Sequence, residues 1–107
     1  NFWATWCTPC LQEIPALSKV FNDHKKDGLV ILGVMTDDPD NQALLNFQSD
    51  NLMSYPVVRA GSDIMMSYNY PRELPTTFIY DRHGKQVQVV KGGLSAAKLG
   101  SIIEPLL

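Results

Sequence analysis

Neither sign of charge dominates this 107-residue chain: nine Lys and Arg stand against eleven Asp and Glu, a net of −2. That balance leaves no electrostatic footprint for nucleic acid, which clustered Lys and Arg would supply. The one basic pair, Lys25-Lys26, sits beside Asp23 and Asp27 and reads as a solvated helix end. No run of 18 apolar residues is present, so no membrane-spanning helix is expected. No signal peptide is present either, but the chain opens inside what reads as a strand, so this says nothing of targeting. There is no internal repeat and no low-complexity linker. With 45% hydrophobic and 19% charged residues the composition is that of an ordinary globular chain, expected to form one domain over residues 1–107.

Histidine and cysteine are scarce, two of each, and this thins the list of metal and cofactor sites. A zinc finger needs two more ligands beside a cysteine pair. His24 is separated from Cys10 by thirteen residues, but the other histidine, His83, lies in Asp81-Arg82-His83-Gly84, which reads as a turn. Covalent haem attachment needs Cys-x-x-Cys-His, and residue 11 is leucine. A peroxidatic cysteine of the peroxiredoxin type calls for threonine three residues earlier, where Cys7 has Ala4 and Cys10 has Cys7. Met65 and Met66 beside Tyr68 read as core packing rather than a copper ligand set. No metal and no dissociable cofactor are expected.

What is present is Trp6-Cys7-Thr8-Pro9-Cys10, directly after apolar Phe2-Trp3-Ala4. A disulfide stabilises mainly by restricting the unfolded chain, and the gain grows with the loop it closes. This loop is nearly the shortest available, so its value is chemical. The spacing at a strand–helix junction reads as a redox-active pair. The chemistry needs a thiolate near neutral pH, whereas an unperturbed cysteine has a pKa of about 8.5. If a helix begins near Cys7, its unpaired N–H groups and dipole favour the Cys7 thiolate. Cys7 is then the exposed attacking thiol, and Pro9 fits the first turn. Cys10, about one turn deeper, is the shielded resolving thiol.

The remaining chain reads as α/β. Leu11, Ile14, Leu17, Val20 and Phe21 have helical spacing, with Pro15 expected to kink the axis and Gly28 to end it. Leu29 to Met35 is a continuous apolar run, expected as a strand buried on both faces. Asp37-Asp38-Pro39-Asp40 starts a second helix through Ala43, Leu44, Phe47 and Gln48, its acidic residues complementing the dipole rather than binding metal. Pro56–Val58 is extended and Ser62–Tyr68 a short helix. Thr77–Tyr80 and Gln86–Val90 form a hairpin, and a helix capped by Ser95 runs to about Pro105. The sheet is therefore expected to have a parallel and an antiparallel part. Pro75, which cannot donate to a ladder, belongs at a strand start or edge.

Taken in order, Asn1-Phe2-Trp3-Ala4-Thr5-Trp6-Cys7-Thr8-Pro9-Cys10, then Glu13 and Pro15, Tyr55-Pro56-Val57-Val58, Leu74-Pro75-Thr76-Thr77-Phe78 and the Asp81–Lys85 turn resemble the TlpA/ResA-like thiol-disulfide oxidoreductases of the thioredoxin superfamily. The resemblance implies a thioredoxin-like fold, a central mixed sheet flanked by helices, with its N-terminal part missing. It also implies a cis Pro75 facing the cysteines, so that Leu74 and Pro75 offer backbone groups to an extended substrate peptide. Trp6 lies beside the pair, and Thr8 and Pro9 between its cysteines would tune the potential. Glu13, one turn after Cys10, is placed to relay a proton to that sulfur. One departure is Arg59-Ala60-Gly61, where the family commonly has an acidic residue.

The implied function is exchange of a Cys7–Cys10 disulfide with cysteine-containing protein substrates. The chain would act as a monomeric reductant outside the bacterial cytoplasm, with apocytochrome c thiols, general thiol repair or oxidation left open. The implied partners are an upstream thiol reductant, membrane-bound in one version, and an N-terminal membrane anchor outside this chain. The rival reading is a non-catalytic, redox-sensing peptide-binding module that uses the Leu74-Pro75 edge.

Overall fold

Apolar side chains at helical spacing, a Pro in the first turn and Cys7 as N-cap set the first helix, α1 (Thr8–His24). A short 3-10 turn and Gly28, in the left-handed region at φ 99°, end it. Pro15 lies inside α1 and does not break it. The computed structural model describes residues 1–107. Its further helices are α2 (Asn41–Asp50), α3 (Ser62–Ser67) and α4 (Ala96–Ile103). Its strands are β1 (Phe2–Trp3), β2 (Gly33–Met35), β3 (Val57–Arg59), β4 (Thr76–Tyr80) and β5 (Gln86–Lys91).

The five strands form one sheet in the order β3-β2-β1-β4-β5. β1 runs parallel to β2, and β2 to β3, while β4 is antiparallel to both β1 and β5. The expected mixed sheet is therefore present, and its central strand leads directly into the cysteines. Leu17 and Val20 of α1 pack with Leu99 and Ile103 of α4 over Ile79 and Val90. A second cluster joins Trp3, Ala4, Cys7, Cys10, Met35 and Leu44, so the redox pair is itself part of a core. Tyr68, closing α3, meets Phe2 at a tilt and Phe78 edge-on, with ring centroids 5.2 and 4.7 Å away. The hairpin turn is set by Asp81, whose Oδ1 accepts from the amides of His83 and Lys85 at 2.9 and 3.0 Å; these bonds hold its carboxyl below the ordinary value.

Two expectations are corrected. The apolar run Leu29–Met35 is strand only over Gly33–Met35, and Val30 is 76% exposed. Leu29 and Ile31 are half-buried against the α1–α4 cluster, while Val30 and Leu32 face out. A groove of about 500 Å³ lies there, between Leu29–Leu32 and Thr77–Arg82. The second helix starts at Asn41, and of the acidic residues before it only Asp40 caps it, accepting from the Ala43 amide at 2.8 Å. Asp37 and Asp38 are used elsewhere.

Candidate active site

Cys7 and Cys10 are joined as a disulfide with Cα atoms 5.2 Å apart. The pairing follows from the helix start: Cys7 is the last extended residue (φ −88°, ψ 106°) and Cys10 sits one turn on. The Cys10 amide donates to the Cys7 sulfur at 3.3 Å. An otherwise unpaired N–H of the first helical turn is therefore aimed at Cys7, in the geometry that favours a thiolate at that position. The Cys7 amide in turn donates to the Ala4 carbonyl at 3.2 Å, closing the turn that carries Thr5 and Trp6.

The opposite wall comes from the start of β4. The Leu74–Pro75 peptide bond is cis, and the Cys7 sulfur lies 3.6 Å from the Leu74 carbonyl oxygen. Pro75 is fully buried, while Leu74 is half-buried against the cysteine cluster. Trp6 is 72% exposed, and Thr8 and Pro9 are exposed as well, so these three side chains rim the cysteines on the solvent side. Cys7 departs from expectation. At 5% exposure it is nearly as buried as Cys10 at 2%, and both share a core cluster with Trp3, Met35 and Leu44.

Glu13 is buried too, 3% exposed. Its Oε1 accepts from the Asn1 side-chain amide at 2.7 Å, and its Oε2 from the Leu94 backbone amide at 2.8 Å. Asn1 Nδ2 also donates to Thr77 Oγ1 at 2.9 Å. Burial pushes the Glu13 carboxyl above its ordinary value, and the bonds from Leu94 and Asn1 pull it part of the way back. Burial, and then the Glu13 charge, push the Tyr55 phenol up in turn. These partners are invisible in sequence: Asn1 and Leu94 lie 12 and 81 residues away. The only hint is a polar residue opening the apolar segment Phe2-Trp3-Ala4.

The loop after β2 also reaches the site. Both hydrogen-bond donors of Thr5, its amide and its hydroxyl, go to the Asp37 carboxylate, the amide at 3.2 Å. Arg59, the departure noted in the sequence, donates from Nε to Asp38 Oδ1 at 2.9 Å and from its terminal nitrogen to the Pro39 carbonyl at 2.7 Å. The arrangement as a whole can form and break one disulfide beside a peptide-sized edge.

Residues 1–89 match the AhpC/TSA family. Thiol-disulfide oxidoreductase ResA of Bacillus thuringiensis subsp. konkukian is 32% identical over 107 residues, covering 99% of this chain and 61% of the relative. ResA of Halalkalibacterium halodurans is 31% identical over 105 residues, 97% of this chain and 58% of the relative. The chain thus spans about three-fifths of the curated relatives it matches. Among solved structures, a thiol:disulfide interchange protein of the thioredoxin family from Chlorobium tepidum superposes with TM-score 0.90 at 27% identity, covering 99% of this chain and 76% of that one. A secreted Mycobacterium tuberculosis disulfide oxidoreductase homologous to E. coli DsbE gives TM-score 0.82 at 26% identity, covering 98% and 78%.

Proposed function

This chain belongs to the AhpC/TSA family, and from that premise we propose that it is a thiol-disulfide oxidoreductase that reduces disulfides in protein substrates. The observation that carries this reading is the Cys7 sulfur, held between the Cys10 amide and the Leu74 carbonyl beside cis Pro75. The helix terminus favours the thiolate form there, and the β4 edge offers backbone to an extended peptide. In the reduced chain the Cys7 thiolate attacks one sulfur of a substrate disulfide and expels the other as a thiolate. The Cys10 thiolate then attacks the Cys7 sulfur, releasing the second substrate sulfur and closing Cys7–Cys10. Two electrons pass to the substrate. An upstream dithiol must return them.

In this reading Trp6, Thr8, Pro9, Leu74 and Pro75 form the substrate face. Glu13 exchanges the proton that Cys10 must lose before it attacks. The working compartment is extracytoplasmic, as in the ResA-like reading of the sequence, and apocytochrome c thiols are one substrate class that suits a reductant there. The chain works as a monomer, since one Cys-x-x-Cys completes the cycle. Insulin reduction with dithiothreitol as the electron source tests the activity: precipitation of the insulin B chain should accelerate well above the dithiothreitol background. A chain that leaves insulin intact but binds peptides in both redox states would be the redox-sensing binding module. One that consumes hydroperoxide instead would overturn the dithiol exchange.

Glu13→Gln separates the proton role from a packing role. The fold should persist, because the two side chains are nearly equal in size and the Asn1 amide can turn to accept from the new one. Exchange should slow by about a hundredfold, the low end of general acid–base contributions. Stability should also change with pH in a signed way. The folded pKa of Glu13 lies above its unfolded value of 4.5. The stabilisation from the tightly held proton is therefore full below that value and lost as pH rises through the folded pKa. Urea unfolding from pH 4 to pH 8 should show this fall in the parent chain and not in the glutamine variant. Equal slopes and equal exchange rates would reduce Glu13 to a buried tether.

A further inference from the structure

We infer that Asp37 is a positioning residue of the Cys7 centre, holding the Thr5-Trp6 turn from which Cys7 is presented; this rests on the exchange reading of the site. Thr5 stands two residues before Cys7, in the turn between β1 and α1. It is tied by its amide and its hydroxyl to the two oxygens of one carboxylate, Asp37. Trp6 projects into solvent and cannot anchor the turn. The remaining hold on the turn is the backbone bond from Cys7 to Ala4.

A carboxylate can position a turn only if it is itself held. The segment from Thr36 to Asp40 is pinned at every other residue. The Thr36 amide and hydroxyl both donate to the Trp3 carbonyl, at 2.8 and 3.1 Å. Arg59 from β3 clamps Asp38 and the Pro39 carbonyl, and Asp40 caps α2. Asp37 is thus presented to the two-residue turn from a loop that is hydrogen-bonded on either side of it. The consequence falls on Cys7. Its sulfur meets the Cys10 amide at 3.3 Å only while the turn keeps Cys7 in its N-cap conformation. A small displacement there weakens both the thiolate and its approach to a substrate sulfur.

Comparing Asp37→Ala with Asp37→Asn tests this, because the two variants carry the same charge and differ in the tether. The asparagine oxygen can accept from the Thr5 amide while its NH₂ donates to the Thr5 hydroxyl. In the reduced Cys10→Ser background, iodoacetamide labelling of Cys7 is followed against pH to give the thiol pKa and the limiting rate. The alanine variant should label about tenfold more slowly than the asparagine variant near neutral pH, with a higher Cys7 pKa. Thr5→Val, which keeps the carboxylate and the amide bond, should label about threefold more slowly than the parent. Identical profiles for the alanine and asparagine variants would overturn the inference, since the carboxylate would then act by charge or not at all. Should Asp37→Ala fail to fold by far-ultraviolet circular dichroism, Thr5→Val decides alone, and parental labelling in it sinks the tether. Labelling does not use a protein substrate. A chain inactive on insulin but sensitive here would lose the exchange reading and keep the tether.

Discussion

Cys10→Ser should turn the chain into a covalent trap. With the resolving sulfur gone, Cys7 can still attack a substrate disulfide, but nothing within the chain can release the product. Incubating the reduced variant with oxidised insulin should give a mixed disulfide stable on a non-reducing gel and discharged by dithiothreitol. Turnover should fall to the background. Cys7→Ser should lose turnover equally and trap nothing, because the first-turn amide that favours a thiolate serves the sulfur at position 7 and not that of Cys10. The asymmetry is the informative part. The Cys10 amide points at the Cys7 sulfur and not at its own, so only one of the two thiols is activated by the helix terminus. Equal trapping by the two variants would mean that the disulfide is not worked as an ordered pair.

The second large effect concerns Gly33, far from the cysteines in sequence and one strand away in space. A Cβ added there would stand 3.0 Å from the Trp3 indole nitrogen, 3.2 Å from Tyr55 Cε2 and 3.4 Å from Val57 Cγ2. All three belong to packed side chains, and Trp3 and Tyr55 are buried. Neither ring can retreat without displacing the core, so Gly33→Ala should cost about 1–3 kcal/mol, as overpacking usually does. Urea unfolding measures it. In thermal unfolding of a domain of this size the midpoint should fall by about 4–8 °C for each kcal/mol lost. Trp3 is also the last residue of β1, so the same variant should disturb the Thr5–Cys7 turn and slow Cys7 labelling. A stability change within about 0.5 kcal/mol would show that β2 and β1 can separate locally and that glycine is not required at this crossing.

The indole nitrogen of Trp3 has no hydrogen-bond partner despite its burial. A Cβ on residue 33 would stand 3.0 Å from it. The Trp3 ring packs on Phe47, 5.5 Å away by ring centroid.

Much of this protein could be read from neighbouring residues. The spacing of Cys7 and Cys10, Pro9 in a first turn, the apolar rows of α1 and the turn residues Asp81–Gly84 depend on chemistry within one or two turns of chain. Periodicity and capping express that chemistry directly. They were enough for the element order, the mixed sheet and the redox pair, and together with Leu74-Pro75 for the family. What they could not reach were contacts between elements distant in sequence. Leu29–Leu32 are as apolar as a buried strand, but only Leu29 and Ile31 find core side chains to pack against, and Val30 and Leu32 stay exposed. Cys7 has the composition around it of an accessible thiol. It is buried in a cluster to which Met35 and Leu44, from other elements, belong. Glu13 reads as an ordinary helix carboxylate until β1 and the loop before α4 bring Asn1 and the Leu94 amide to it. Asp37 and Thr5 meet only because β2 lies parallel to β1, ending their strands side by side across 32 residues of chain. Sequence by itself determined where the thiols sit on their helix and which fold carries them. Tertiary structure decided how accessible and how firmly held they are, because burial and hydrogen bonding at a site are set by every element that packs against it.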